Sequence, residues 1–156
     1  MAFVWQWKLF NQLSLNDLYE IMKVRQQVFV LEQNCLYQDI DDLDKKAWHL
    51  TCWPNYDLNQ AQLVAYLRVV YPQHKYKEPA MGRVLVIEEY RGMGLGKELL
   101  KQALVKIQRQ YPHHAIRISA QQHLHQFYAQ AGFSQVSRPY EEDGIMHIEM
   151  QKHATT

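Results

Sequence analysis

Apolar residues at Leu15, Leu18, Tyr19 and Met22 fall at the i, i+3, i+4, i+7 spacing of one helix face. Ser14 with Asp17 three residues on has the form of a capping box, and the stripe runs to about Val30. A second helical pattern, Leu95, Leu99, Leu100, Ala103, Leu104 and Ile107, predicts a helix through "LGKELLKQALVKIQRQ" that stops near Tyr111–Pro112. A shorter one, "HLHQFYAQAG", ends at Gly132, a suitable C-cap.

The remaining patterned segments read as strands. These are "FVWQWKLF" (3–10), "WHLTCW", "QLVAYLRVVYP", "MGRVLVIEE", "AIRISAQ", "FSQVSR" and "IMHIEMQK". The second and third form an expected antiparallel hairpin across "PNYDLNQA", with Pro54 and Asn55 opening the turn. The unbroken apolar run from Val84 to Ile87 predicts that its strand is central. "CLYQDIDDLDKKA", "HKYKEPA" and "PYEEDG" read as turns or loops. The order β α β β β α β α β β describes an α+β, or mixed α/β, domain and not a regularly alternating doubly wound sheet.

A chain of 156 residues with 47% hydrophobic and 21% charged positions is sized for one domain, expected over 1–152 with a short tail at 153–156. "MAFVWQWKLF" has no basic stretch leading into a long apolar core, and no run approaches the roughly 20 apolar residues of a membrane span. Cys35 and Cys52 lack metal-ligand spacing and leave a disulfide open, although a reducing compartment fits better. A cytoplasmic protein without a membrane partner is expected. The formal net charge of +1 argues against a nucleic-acid partner. The charge is unevenly placed. Residues 91–140 hold seven basic side chains and one acid, or +6, and the rest holds ten basic and fifteen acidic, or −5. A phosphate-rich cofactor and a cationic substrate would suit that division.

The basic segment opens with "YRGMGLGKELL", three glycines and a lysine between a strand and a helix. Such a junction presents backbone N–H groups to phosphate oxygens. It is not a Walker loop, because three residues separate Gly92 from Gly96 and Glu98 follows Lys97 where a hydroxyl is needed. It is not a dinucleotide fingerprint, because the spacing is Gly92-x-Gly94-x-Gly96 and no acid lies between Glu98 and Glu141. A tight turn with no ligand is the plain alternative.

The pattern Arg91-x-x-Gly94-x-Gly96 resembles the pyrophosphate loop of the GNAT superfamily of N-acetyltransferases. "HQFYAQAGF" resembles that family's later Phe-Tyr-x-x-x-Gly-Phe motif, and the order of elements agrees. "VRQQVFVLEQNCLYQDIDDLD", "GRVLV", "AQQHLHQFY" and "YEEDGIMHIEM" are similar to segments of the ElaA-type subgroup and span nearly the whole chain. The resemblance implies a GNAT fold, a central, mostly antiparallel, twisted sheet of six to seven strands with flanking helices. It implies acetyl-CoA as donor, a small-molecule or peptide amine as acceptor, and no metal. Members of this size are often dimers, so a homodimer is the assembly it suggests. A coenzyme A sensor without turnover, or a transferase using a longer acyl-CoA, are the alternatives.

Carried over residue by residue, the resemblance places the pyrophosphate on the N–H groups of Gly92, Met93, Gly94, Leu95, Gly96 and Lys97, beside Arg91. It places pantetheine along the backbone of Leu85 and Val86, with Gln121 as a further contact where many members carry Asn. Tyr128 takes the position of the acid that serves the departing thiolate; its plain alternative is packing beside Phe127. His147, alternating with apolar residues on a strand, is a base or a structural histidine, with Glu32, Glu142, His49 or a water chain as other routes.

Arg68 and Arg83 each interrupt an apolar strand, so each needs a partner. Two readings stand, a clamp for an anionic group on the acceptor, or internal ion pairs with Glu32 or the aspartates of "QDIDDLD". That acidic loop is not an EF-hand, since Asp44 replaces the turn glycine and Leu50 the last glutamate. It is a solvated loop, or Tyr37, Asp39 and Asp41 line the acceptor mouth. His113 and His114 are adjacent and His123 and His125 two apart, which does not make a metal site.

Overall fold

In the computed structural model of the chain, residues 2–55 and 62–154 are described. Their eight strands form one sheet. They are β1 (Phe3–Leu9), β2 (Ala47–Pro54), β3 (Ala65–Val70), β4 (Ala80–Val86), β5 (Ile116–Gln121), β6 (Ser134–Gln135), β7 (Tyr140–Glu142) and β8 (Ile145–Lys152). The order across the sheet is β1-β2-β3-β4-β5-β8-β6, with β7 also paired to β8. All pairings are antiparallel except β4 with β5. The mixed α/β architecture matches expectation, with one more strand than the upper number. β7 lies inside "PYEEDG"; its three residues are polar and part-exposed, so no apolar alternation marks it.

The predicted hairpin is present as β2 and β3, paired from Ala47↔Val70 to Cys52↔Ala65. Most of its connection, 56–61, lies outside the described residues, as do residues 155–156 of the expected tail. Cys35 and Cys52 are both buried free thiols.

Three helices pack against this sheet: α1 (Leu15–Arg25), α2 (Leu95–Gln110) and α3 (His125–Ala129). The capping box of α1 is formed, with Asp17 N donating to Ser14 Oγ at 2.9 Å and Ser14 N to Asp17 Oδ2 at 3.0 Å. Such a cap stabilises by about 1 kcal/mol. The Asp17 carboxylate also takes Lys8 Nζ at 2.8 Å, which ties the helix to β1. The helix continues as a π-helical turn, Gln26–Glu32, so the helical stretch ends close to the predicted limit.

Its buried face is not the one the apolar stripe pointed to. Leu15 is 89% exposed and Tyr19 70% exposed. The buried positions are Ile21, Val24, Arg25 and Val28, the same i, i+3, i+4, i+7 spacing on another face. An arginine sits in that row because two aspartates neutralise it, and a hydrophobicity pattern reads it as a break. In α2 the buried positions Leu95, Leu99, Leu100, Ala103 and Ile107 were all in the predicted stripe. This face packs on β3 and β4.

Two irregularities in β4 shape the middle of the sheet. Between Tyr66↔Leu85 and Arg68↔Gly82 the register shifts, so Leu67 faces two residues, Arg83 and Val84. Arg83 has φ of +52°, a left-handed conformation uncommon for arginine. On its other side β4 meets β5 at one residue pair, Ala80↔Arg117. Arg117 fastens that point, with Nε on Glu78 at 2.8 Å and Nη1 on Glu149 at 2.9 Å. Beyond it the two strands part.

Candidate active site

The parting of β4 and β5 opens a cavity of about 370 Å³. β4 supplies Ala80 to Val84, β5 supplies Ile118 to Gln121, and α3 supplies Tyr128. The far side is closed by Gln33, Tyr37, Asp41, Glu142 and His147. β4 leads out of this cavity into the glycine loop and then α2.

Gly92 and Gly94 have φ of +80° and +81°. This conformation is open to glycine and strained for other residues. Gly94 is the N-cap of α2, and no side chain caps the helix there. Glu98 N makes the first turn's bond, to Gly94 O at 3.1 Å, so the preceding amides are available as donors at the positive end of the helix. A Cβ at Gly96 would sit 3.6 Å from the Phe127 ring, which brings α2 and α3 together beside the loop. The loop therefore fits a pyrophosphate.

Arg91 reaches back from the loop. Its Nε donates to Val86 O at 2.9 Å, and Nη1 and Nη2 meet the two oxygens of Glu32 at 2.6 and 2.7 Å. The hydrogen bonds with Glu32 raise the arginine's pKa and lower the carboxylate's. Glu32, weighed as a base, as a partner for Arg68 or Arg83 and as an acceptor contact, is bound instead to Arg91 beside the glycine loop, and the lining of the cavity does not include it. Ile87 N donates to Val64 O on the β3 side, so the Val86 carbonyl, on the opposite side of that trans peptide, points into the opening. Leu85 is buried and pairs with Tyr66.

Tyr128 is 7% exposed and lines the cavity, its ring edge-on to Phe127 and Phe133 at 5.1 and 6.0 Å. Burial pushes its phenol up to about 12, which keeps it protonated and able to donate at neutral pH. Gln121 lines the same cavity and donates to Gln33 Oε1 at 3.1 Å. His147 pairs with Gln121 across β5 and β8 and stacks on Tyr140 at 6.1 Å. Its Nδ1 lies 2.8 Å from Ile145 O, a bond that requires the proton on Nδ1. In the neutral ring Nε2 is then the acceptor, and it lies 3.7 Å from Glu142 Oε2. His49, weighed as another base, is fully buried, with Nδ1 2.7 Å from Tyr66 Oη and Nε2 2.8 Å from Asp44 O.

Arg68 and Arg83 are both held by the acidic loop. Arg68 meets Asp41 at 2.5 Å and Asp44 at 2.9 Å; Arg83 meets Asp39 at 2.9 Å and Asp41 at 3.3 Å. Arg25 joins them through Asp39 at 2.8 Å and Asp44 at 2.6 Å. Of the two readings of these arginines, the internal ion pairs are the ones formed, and the loop is not a merely solvated one. Burial alone would raise Asp41, but Arg68 and Arg83 outweigh it and hold the carboxyl well below its usual range. Tyr37 donates to Asp39 at 3.1 Å, beneath Arg83 at 5.7 Å from its ring. Tyr37, Asp41, Arg68 and Arg83 all border the cavity.

Some lining residues gave no signal in the sequence. Ser119, Gln33 and Lys75 come from a strand, a helix end and a loop, with no spacing that joins them. Ser119 Oγ is hydrogen-bonded to Tyr140 Oη. Among the described residues, no group of three or more potential ligands could hold a metal ion, and no helix is long and apolar enough to cross a membrane.

Known proteins resemble the chain in both sequence and fold. The acetyltransferase (GNAT) domain family matches residues 30–154. A UPF0039 protein from Synechocystis sp. is 45% identical over 150 residues, 96% of this chain and 95% of that one. The protein ElaA of Escherichia coli is 39% identical over 150 residues, 95% of each. Its crystal structure superposes with a TM-score of 0.89 at 36% identity, covering 97% of this chain and 100% of that one. An acyl-CoA N-acyltransferase from Pseudomonas aeruginosa superposes with a TM-score of 0.90 at 37% identity, covering 97% and 99%. On the family match over residues 30–154 and on relatives this similar over nearly the whole chain, the chain belongs to the GNAT acetyltransferase family.

Proposed function

We propose that the protein is an acetyl-CoA-dependent N-acetyltransferase that acts on a primary amine by direct attack in a ternary complex. The observation that carries this reading is the single cavity joining the opening of β4 to Tyr128, Gln121 and His147. The amides from Gly92 to Lys97 and the positive end of α2 would hold the pyrophosphate. The outward Val86 carbonyl would accept a bond from the pantetheine arm once Arg91 Nε yields it, and Gln121 lies further along the same path. Acetyl-CoA supplies an activated thioester there.

The chain's own groups then handle two protons. His147 Nε2 takes one from the amine as its nitrogen bonds to the thioester carbon, and Glu142 stabilises the imidazolium that forms. Tyr128 gives its proton to the sulfur as the carbon–sulfur bond breaks. Proton exchange with solvent restores both side chains. The cavity walls hold the amine and thioester together and keep bulk water away.

The test is release of free thiol from acetyl-CoA across polyamines, amino sugars, amino acids, aminoglycosides and peptides. Turnover with at least one amine is expected. Coenzyme A binding without release by any of them would overturn the reading in favour of a sensor.

A further inference from the structure

Arg25, Arg68 and Arg83 are matched by Asp39, Asp41 and Asp44, three charges against three. This network adds no net charge to the acceptor end of the cavity. Lys75 stands outside it. The side chain lines the same wall as Arg68 and Arg83, and no carboxylate among the described residues lies within ion-pairing distance of its Nζ. Its near neighbour is the Tyr76 ring, with Nζ 5.5 Å from the centroid. Lys75 is exposed but crowded. Desolvation and then Arg68 and Arg83 pull its pKa below that of an ordinary lysine, while Glu142 and Asp41 pull it back.

The facing wall has the opposite character. The Glu142 side chain is 51% exposed, with His147 Nε2 at 3.7 Å and Ser119 Oγ at 3.5 Å. Neither contact neutralises it while the histidine is uncharged. Asp143 stands next to it on the same wall. Lys75 and Glu142 line one cavity, and the charge of Glu142 partly offsets the lowering of the Lys75 pKa.

Resting on the acyl-transfer reading above, we infer that the acceptor is a small molecule carrying both a primary amine and an anionic group. The anion seats on Lys75 beside Arg83, and the amine lies toward Glu142 and His147. Simple polyamines place a second cation against Lys75, Arg68 and Arg83 and are disfavoured. Neutral amines leave Lys75 without a partner.

The experiment compares acceptors that differ in the anion alone: β-alanine with its amide, lysine with cadaverine, and phosphoethanolamine with ethanolamine. Each is assayed by thiol release with the wild type, Lys75→Met and Lys75→Arg. At least one anion-bearing member should exceed its partner in kcat/KM by about tenfold or more, the value of one charge-assisted contact. The ratio should fall toward one in Lys75→Met through KM, and Lys75→Arg should restore it. Whether a carboxylate or a phosphate gives the larger ratio identifies the anion. Ratios near one in the wild type, or a ratio that survives Lys75→Met, overturn the inference while leaving acyl transfer intact. If no amine releases thiol, the transfer reading fails by itself. Thermal shifts of the coenzyme A-loaded protein then decide the inference: stabilisation by anion-bearing amines that Lys75→Met abolishes supports it, and equal or absent shifts overturn it.

Discussion

Glu32 holds Arg91 with both carboxylate oxygens, at 2.6 and 2.7 Å, and so links the end of the π-helical turn to the glycine loop. The arginine expected to face a pyrophosphate already has an anion. Any phosphate that draws on its charge competes with Glu32. Glu32→Gln should therefore tighten coenzyme A binding by roughly two- to fivefold, the range of a part-exposed ion pair. The gain should shrink as salt rises. Calorimetry at two salt concentrations checks this; weaker binding would make Glu32 a positioning residue for Arg91 instead.

Tyr128→Phe should lower kcat by about a hundredfold or more, within the range for loss of a general acid, and change coenzyme A affinity by less than about twofold. Because burial pushes the phenol up to about 12, its loss of a proton should set no basic limb of the wild-type profile below about pH 10. Unchanged turnover would remove Tyr128 from the reaction.

Arg25→Met removes one charge from a fully buried position and leaves three aspartates to two arginines, with Asp39 on Arg83 and Asp44 on Arg68 alone. Loss of one partner of a buried pair costs about 3–5 kcal/mol, which should appear as a lower urea midpoint. Arg83→Met, whose side chain is partly exposed, should cost less.

Acid should destabilise the fold in two stages. Burial lowers the His49 pKa, so the unfolded chain takes up a proton there from about pH 6.5 downward before the folded one does. Stability that is complete above that pH is lost as pH falls toward the folded value. Asp41 and Asp44 follow. Burial raises both, but their arginines win and depress them, so their contribution is complete above about pH 4 and falls away below it. His49→Gln should flatten the first stage and leave the second. Urea midpoints measured from pH 7 to 3 test both.

The fold was legible where one face of an element is apolar. The bounds of α2 and β8 follow from periodicity alone. The buried face of α1 does not, because its row contains Arg25 and the aspartates that make burial tolerable are 14 and 19 residues away. Arg68 and Arg83 announced a need for partners by interrupting strands, and the candidate partners included the right loop. The glycine loop before α2 could be located because glycine spacing is a local signal. Lys75 and Ser119 could not, since their role depends on which segments the sheet brings face to face. The pairing of Glu32 with Arg91 was hidden for a related reason. Helix period says nothing of where the π turn ends.

The one-pair contact of Ala80 with Arg117 makes the sheet two half-sheets riveted at a single point. One half carries β1 to β4 and the other β5 to β8. A donor lying along the unpaired edge of β4 would therefore act as mortar between them, supplying the ladder that the polypeptide omits. On the proposed function, rigidity at the centre would be a property of the loaded molecule, and each round of turnover would include the unmaking and remaking of part of its own architecture.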